Sequence, residues 1–320
     1  MIRLTLFILA LMSMAISLLM GPAPIGFSGA ISGLLGQADA ATNAIMREVR
    51  LPRAMGALIV GAGLGASGAA LQGFTRNDLA APGLLGFSAC AALGAVAALY
   101  FGFAAWLMPA AVGGALVGAA IIAIMARRQV GAGGLILAGI GIGALATAVT
   151  GLLMNLAPNP WALSELTYWL MGSLENVDAG GLMIAAPLTC MGLVALWRSG
   201  PSLRALSLGE DTASSLGVSL PQVQTLIVIG TALCIGAGVA LAGTIGFVGL
   251  FVPHIMRRIS GPDPAALIGT SALAGGVFLL VTDTLARVTA GPGTPLYLGI
   301  VTSLIGVPFF LYLALRKTAS

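Results

Sequence analysis

Ten apolar stretches succeed one another along the 320 residues, at 4–20, 54–72, 83–104, 107–126, 133–156, 181–197, 222–243, 244–256, 266–286 and 296–315. That succession constrains the fold more than any motif does. About 20 apolar residues cross a bilayer as a helix, and a backbone inside lipid has to satisfy its own hydrogen bonds. The chain is therefore expected to be an all-α polytopic membrane protein of about ten transmembrane helices, one domain over residues 1–320. Only 8% of its residues are charged, against about a quarter in soluble domains. This excludes an ordinary cytosolic enzyme, a disordered chain and a nucleic-acid-binding domain, and it makes the lipid bilayer the medium. Arg3 followed by the apolar run 4–20 resembles a signal peptide, but Gly21, Pro22 and Pro24 read as a helix exit. No small-x-small cleavage pattern follows, so the run is expected to remain as the first span. The seventh and eighth stretches run together around Gly243, which allows one long bent helix or a re-entrant segment.

The basic residues orient this arrangement. With the N-terminus inside and ten spans, inner loops carry Arg3, Arg76, Arg127, Arg128, Arg198, Arg204, Arg257, Arg258, Arg316 and Lys317. Outer loops carry only Arg47, Arg50, Arg53 and Arg287, so the positive-inside rule puts both termini in the cytoplasm. The net charge of +4 then reflects topology, not an acidic partner such as nucleic acid. Lys317 is the only lysine, and no Gly-Lys-Ser/Thr occurs. A phosphate-binding loop of that kind is missing, so any ATP hydrolysis would lie on another chain. Cys90, Cys190 and Cys234 are far apart in apolar surroundings, and His254 is the only histidine, so neither a metal site nor a bound cofactor is expected.

Several polar elements interrupt the apolar background. Arg47, Arg50 and Arg53 lie on the expected outer face, against the topology rule; they form either a cationic docking patch or arginines that snorkel to headgroups. On the inner face, Gln72 to Pro82 contains Asn77-Asp78 and reads as a tight turn. The loop from Arg198 to Pro221 contains Gly209, Glu210, Asp211, Ala213, Ser214, Leu216 and Gly217. Glu210 and Asp211 suit the start of a short helix, Gly217 suits its end, and Ala213, Leu216 and Val218 would offer an apolar face to a cytoplasmic partner. Pro253 and His254 stand beside Arg257 and Arg258 near the inner face. Asp283 is the only acid placed inside a span, and Arg287 four residues on can pair with it. Thr147, Thr150 and Asn155 on the fifth span either line a pore or serve helix packing.

Together these stretches resemble the permease subunits of ABC importers for iron–siderophore complexes, haem and vitamin B12. The resemblance rests on Arg50-Leu-Pro-Arg53, Gly61 through Gly68, Leu71-Gln72-Gly73 with Arg76-Asn77, Pro82 to Gly86, Trp169 to Leu174, Leu208 to Val218, Gly243 to Leu250, Pro253-His254, Arg257, and Asp283 with Ala286-Arg287. They run in the expected order from about residue 45 to the C-terminus. The resemblance implies a type II ABC importer permease of ten helices. Two permease subunits, identical or paralogous, would form the pore in the bacterial cytoplasmic (inner) membrane. Two separate cytoplasmic ATPase subunits would bind ATP-Mg, and a periplasmic or lipid-anchored substrate-binding protein would deliver an iron–siderophore or related chelate. It also implies that 209–219 is the coupling helix that docks into the ATPase, and that Arg50, Arg53 and Arg287 pair with acids on the binding protein; Arg47 lies outside the motif. The chain departs from the family where Asp78 replaces a proline and where Gly293 to Gly299 replaces an acidic-Pro-x-Gly. A secondary transporter or channel without an ATPase partner is the alternative; it needs intramembrane ions for coupling, and the spans offer almost none.

Overall fold

The computed structural model describes residues 2–126, 132–290 and 296–317, and the regular elements in them are all helical. In chain order they are α1 (Ile2–Leu19), α2 (Phe27–Leu35), α3 (Ala40–Ala44), α4 (Leu51–Thr75), α5 (Phe87–Tyr100), α6 (Leu107–Ala126) and α7 (Ala132–Asn155). There follow α8 (Pro160–Leu170), α9 (Ala179–Leu206), α10 (Glu210–Ser215), α11 (Leu220–Ala242), α12 (Val248–Ser260), α13 (Pro264–Thr289) and α14 (Leu298–Lys317). A π-helical segment, Ile45–Arg50, joins α3 to α4, and a 3-10 turn, Pro82–Leu85, precedes α5. Arg127, Arg128 and the stretch 291–295 lie outside the described residues.

Contacts sort the helix ends into two groups. At one, Arg53 at the start of α4 meets Asp283 late in α13, and the last carbonyls of α1 meet Arg50. At the other, Arg76 after α4 meets Glu210 of α10, and Arg257 near the end of α12 meets Asp78. The start of α1 shares a groove with Arg198 and Asp263, and Phe309 late in α14 packs on His254 of α12. Both ends of the described chain therefore lie at the Glu210 end.

Among the described residues, seven helical stretches are long and apolar enough to span a bilayer, α5 and α14 being shorter apolar helices. The eighth apolar stretch, 244–256, which the sequence leaves open as a short span, a bent helix or a re-entrant segment, is helical only from Val248. Helix α12 has only 13 residues, about 20 Å of rise. The chain nonetheless returns to the Glu210 end, because residues 243–247 are not helical and add their own length. Gly243 at φ +67 stops α11, and its backbone lies so close to Trp169 and Gly172 that a Cβ would overlap the Trp169 carbonyl.

Helices α4 and α11 are mostly buried within the protein, whereas α1 and α7 turn most of their surface outward from the bundle. Glycine explains the tight centre. A Cβ at Gly61 or Gly65 of α4 would strike the carbonyls of Gly275 and Ser271 on α13, and one at Gly68 would strike that of Gly249 on α12. Backbone thus rests on backbone along the seam. Such contact suits a lipid-embedded protein, where dispersion and shape, not the hydrophobic effect, hold helices together.

Candidate functional site

At the Arg53 end the π-helical turn changes the helical register just before α4, and a π turn often marks a functional position. It turns Arg50 inward, to 3% exposure. The guanidinium donates to the carbonyls of Leu18 at 2.7 Å, Leu19 at 3.1 Å and Ala23 at 2.5 Å. Helix C-terminal carbonyls have no partners of their own, so Arg50 closes α1. One turn on, Arg53 grips Asp283 bidentately, Nε to Oδ2 at 3.0 Å and Nη2 to Oδ1 at 2.9 Å. Arg287 forms the expected i,i+4 ion pair with the same carboxylate at 3.1 Å. It also donates to Ser17 Oγ at 2.7 Å and to the Met20 carbonyl at 3.1 Å. Asp283 is fully buried between the two cations.

Of the expected outer arginines, Arg53 and Arg287 are brought together around an internal carboxylate, whereas Arg50, expected to face a docking partner, is turned inward onto the carbonyls that end α1. Arg50 and Arg53 are 32 and 230 residues from their partners, so no local pattern announces these bonds. Arg47 is exposed and donates to the Leu34 carbonyl at 2.9 Å. Any external acid that engages Arg53 or Arg287 has to compete with Asp283.

At the Glu210 end, Gly209 at φ +110 lets the chain turn out of α9 into α10. Glu210 and Asp211 occupy the first turn of α10, where the helix dipole favours negative charge, and Glu210 pairs with Arg76 at 2.8 Å. Gly217 follows at φ +82. The apolar face differs from expectation. Ala213 is 1% exposed and packs into the core, and Val218 leans on that core. Leu208 and Leu216, at 66% and 63% exposure, are the apolar residues that α10 and its approach present outward. Ser214 is exposed beside them. A neighbouring polar cluster ties α4 to α12: Arg257 donates to Gln72 Oε1 at 2.9 Å and pairs with Asp78. The residue that departs from the family's proline therefore supplies a carboxylate to an arginine 179 positions away.

Between the two ends lies a half-open cavity of about 850 Å³. Its walls come from the 3-10 turn before α5, the non-helical residues 244–247 and one face of α14. They are mostly apolar, and hydroxyls at Thr244 and Ser303 are already used, donating to the Leu170 carbonyl at 2.5 Å and the Gly299 carbonyl at 2.7 Å. Phe247 holds φ +63, a conformation that costs a non-glycine residue and that clusters at functional positions. The residues read from sequence as pore candidates stand elsewhere. Thr147, Thr150 and Asn155 all belong to α7, none lines this cavity, and both threonines donate to carbonyls of their own helix at 2.8 Å. Part of the wall falls in the run from Gly243 to Pro253, whose glycines and proline read in the sequence as a helix break and not as a cavity.

A bundle of membrane-crossing helices with a large, weakly polar cavity and a distinct polar cluster at each end has the form of a transport permease. The comparisons agree. Residues 8–316 match the FecCD transport family, and the chain belongs to it. It is 39% identical over 273 residues to the cobalamin import system permease BtuC of Halobacterium salinarum, covering 84% of this chain and 73% of that one. It is 37% identical over 274 residues to the vitamin B12 import system permease BtuC of Citrobacter koseri, covering 84% and 82%. A metal-chelate type ABC transporter solved in an inward-facing conformation superposes with a TM-score of 0.88 at 29% identity, covering 98% of this chain and 99% of that one.

Proposed function

We propose that this chain is the permease subunit of an ABC importer that moves a metal chelate of the vitamin B12, haem or iron–siderophore type inward by alternating access. The cavity carries this reading. Its volume of about 850 Å³ suits a bulky ligand, and walls with few unused polar groups let such a ligand pass without being held. The cavity is half open, and a second permease subunit, identical or paralogous, is the wall that would complete it. The α10 region is the docking surface for a cytoplasmic ATPase that binds ATP-Mg: Leu208 and Leu216 supply apolar area, and Asp211 and Glu210 supply charge. Arg53 and Arg287 are the groups that meet acidic residues of a substrate-binding protein, with exposed Arg47 at their edge. The Arg53 end then faces outward and both termini are cytoplasmic, in the inner membrane.

The carrier alternative finds no support in the spans, because Asp283 is held between two arginines and is not available to shuttle ions. Reconstitution with the cognate ATPase tests the proposal. Leu216→Glu is expected to abolish ATPase co-purification and chelate-stimulated hydrolysis while leaving the melting temperature unchanged, since Leu216 is exposed. Normal co-purification and transport by that variant would overturn the assignment of α10. A panel of cobalamin, haem and iron chelates in the same vesicles identifies the substrate.

A further inference from the structure

A second concave site lies at the Glu210 end, on the outer surface of the bundle. Helices α1 and α9 both pack against α13. A groove of about 400 Å³ sits over the first turn of α13, lined by Arg3, Trp197, Arg198, Pro201, Arg204 and Asp263, with Ala265 and Ala266 as its floor. One turn deeper, Gly269 of α13 faces open space. Small residues under flanking helices make a furrow, not a ridge.

The charges in the groove do not cancel. Arg204 is committed to Asp263 by two bonds, Nε to Oδ1 at 2.9 Å and Nη2 to Oδ2 at 2.5 Å. The Arg204 hydrogen bond holds the Asp263 carboxyl below the usual carboxylate range, so the pair stays ionised and neutral as a unit. Arg3 and Arg198 remain exposed in the same groove, leaving an excess of two positive charges.

Depth places these cations at headgroup level. The 18 residues of α1 rise about 27 Å, close to the roughly 30 Å of hydrocarbon. The far end of α1 is fixed by Arg50, so Arg3 stands one hydrocarbon thickness away. Trp197, 64% exposed beside Arg198, is the residue type that marks a membrane interface. Below it, the outward faces of both walls are apolar, Leu4, Phe7 and Leu11 on α1 and Met191 and Val194 on α9. Basic pockets between helices at this level suit phosphate-bearing headgroups, and guanidinium forks match phosphate oxygens.

We infer that this groove binds the phosphodiester headgroup of an anionic phospholipid, with Arg3 and Arg198 on the phosphate and the acyl chains along the apolar flanks of α1 and α9. Native mass spectrometry of the full-length permease in mild detergent tests this. Wild type is expected to retain phosphatidylglycerol or cardiolipin in excess over phosphatidylethanolamine, relative to the source membrane. Each neutralised arginine is expected to weaken retention about fivefold. The double variant Arg3→Gln/Arg198→Gln should therefore lose the excess, Arg3→Lys/Arg198→Lys should restore most of it, and Arg258→Gln, an exposed arginine outside the groove, should keep it. Equal retention in wild type and the glutamine double variant would overturn the site. Displacement of the lipid by millimolar inorganic phosphate would overturn the lipid assignment in favour of a free-phosphate site.

Discussion

Asp283→Asn is the most revealing single substitution at the Arg53 end. The native carboxylate is fully buried and neutralises two guanidiniums whose side chains are 14% and 10% exposed. Asparagine keeps the shape but removes the charge, leaving Arg53 and Arg287 as buried cations facing each other. Removing one partner of a buried pair costs about 3–5 kcal/mol. A chain of this size shifts its melting temperature by about 2 °C per kcal/mol, so a fall of roughly 6–10 °C is expected. Cys90 and Cys234 are buried and Cys190 is exposed. Thermal unfolding of a Cys190→Ala background can thus be followed by a thiol-reactive fluorophore reaching the two buried sulfurs. The double variant Asp283→Asn/Arg53→Gln should recover part of the loss, because it removes one of the stranded cations. A melting temperature unchanged within 2 °C, or strictly additive losses, would refute the view that Asp283 neutralises both arginines. If Arg53 meets the acids of a binding protein as proposed, Asp283 competes with them, and the same substitution should tighten docking while it lowers stability.

Three further outcomes are expected. Gly68→Ala drives a methyl into the Gly249 carbonyl and should cost about 1–3 kcal/mol or prevent assembly; Gly141→Ala, facing open space, should be neutral or slightly stabilising, as read by the monodisperse yield of each. Glu210→Gln breaks an ion pair in which both partners are about half exposed, Arg76 46% and Glu210 60%, so the melting temperature should move by under 2 °C. The Asp263 carboxyl is held low by Arg204, so the stability it contributes is present above the unfolded value of about 3.9 and lost as pH falls through the lower folded value. Melting from pH 7 to 3 should show that loss in wild type and not in Asp263→Asn.

The spans were legible because length and hydropathy dictate them: the stretch 107–126 coincides with α6, and 133–156 differs from α7 by a residue at each end. The stretch 181–197 fell short of Leu206 because Arg198, Pro201 and Arg204 look like an exit, yet α9 carries its helix past the membrane surface through them. Helices α2 and α8, of 9 and 11 residues, were missed because neither reaches spanning length. The Asp283–Arg287 pair was readable from its one-turn spacing, whereas its larger partner, Arg53, comes from 230 residues away. For α10 the helix start and stop were legible but the inward face was not. Ala213 and Leu216 lie three residues apart, and only packing decides which of them is covered. The cavity escaped because its lining is mostly apolar side chains such as Leu64, Ile245, Phe247 and Leu304, which read in the sequence like any other apolar residue of a span.

The glycine seam has a mechanical consequence. Because α4 and α13 touch through backbone, neither can slide or rotate on the other without a collision, so the two travel as one rigid rod. Its 25 residues in α4 extend about 37 Å, with Arg53 at one end and, just past the other, Arg76 fastened to α10. A displacement at one end of the pair is therefore expected to move the other end with it, not to be taken up by sliding along the seam.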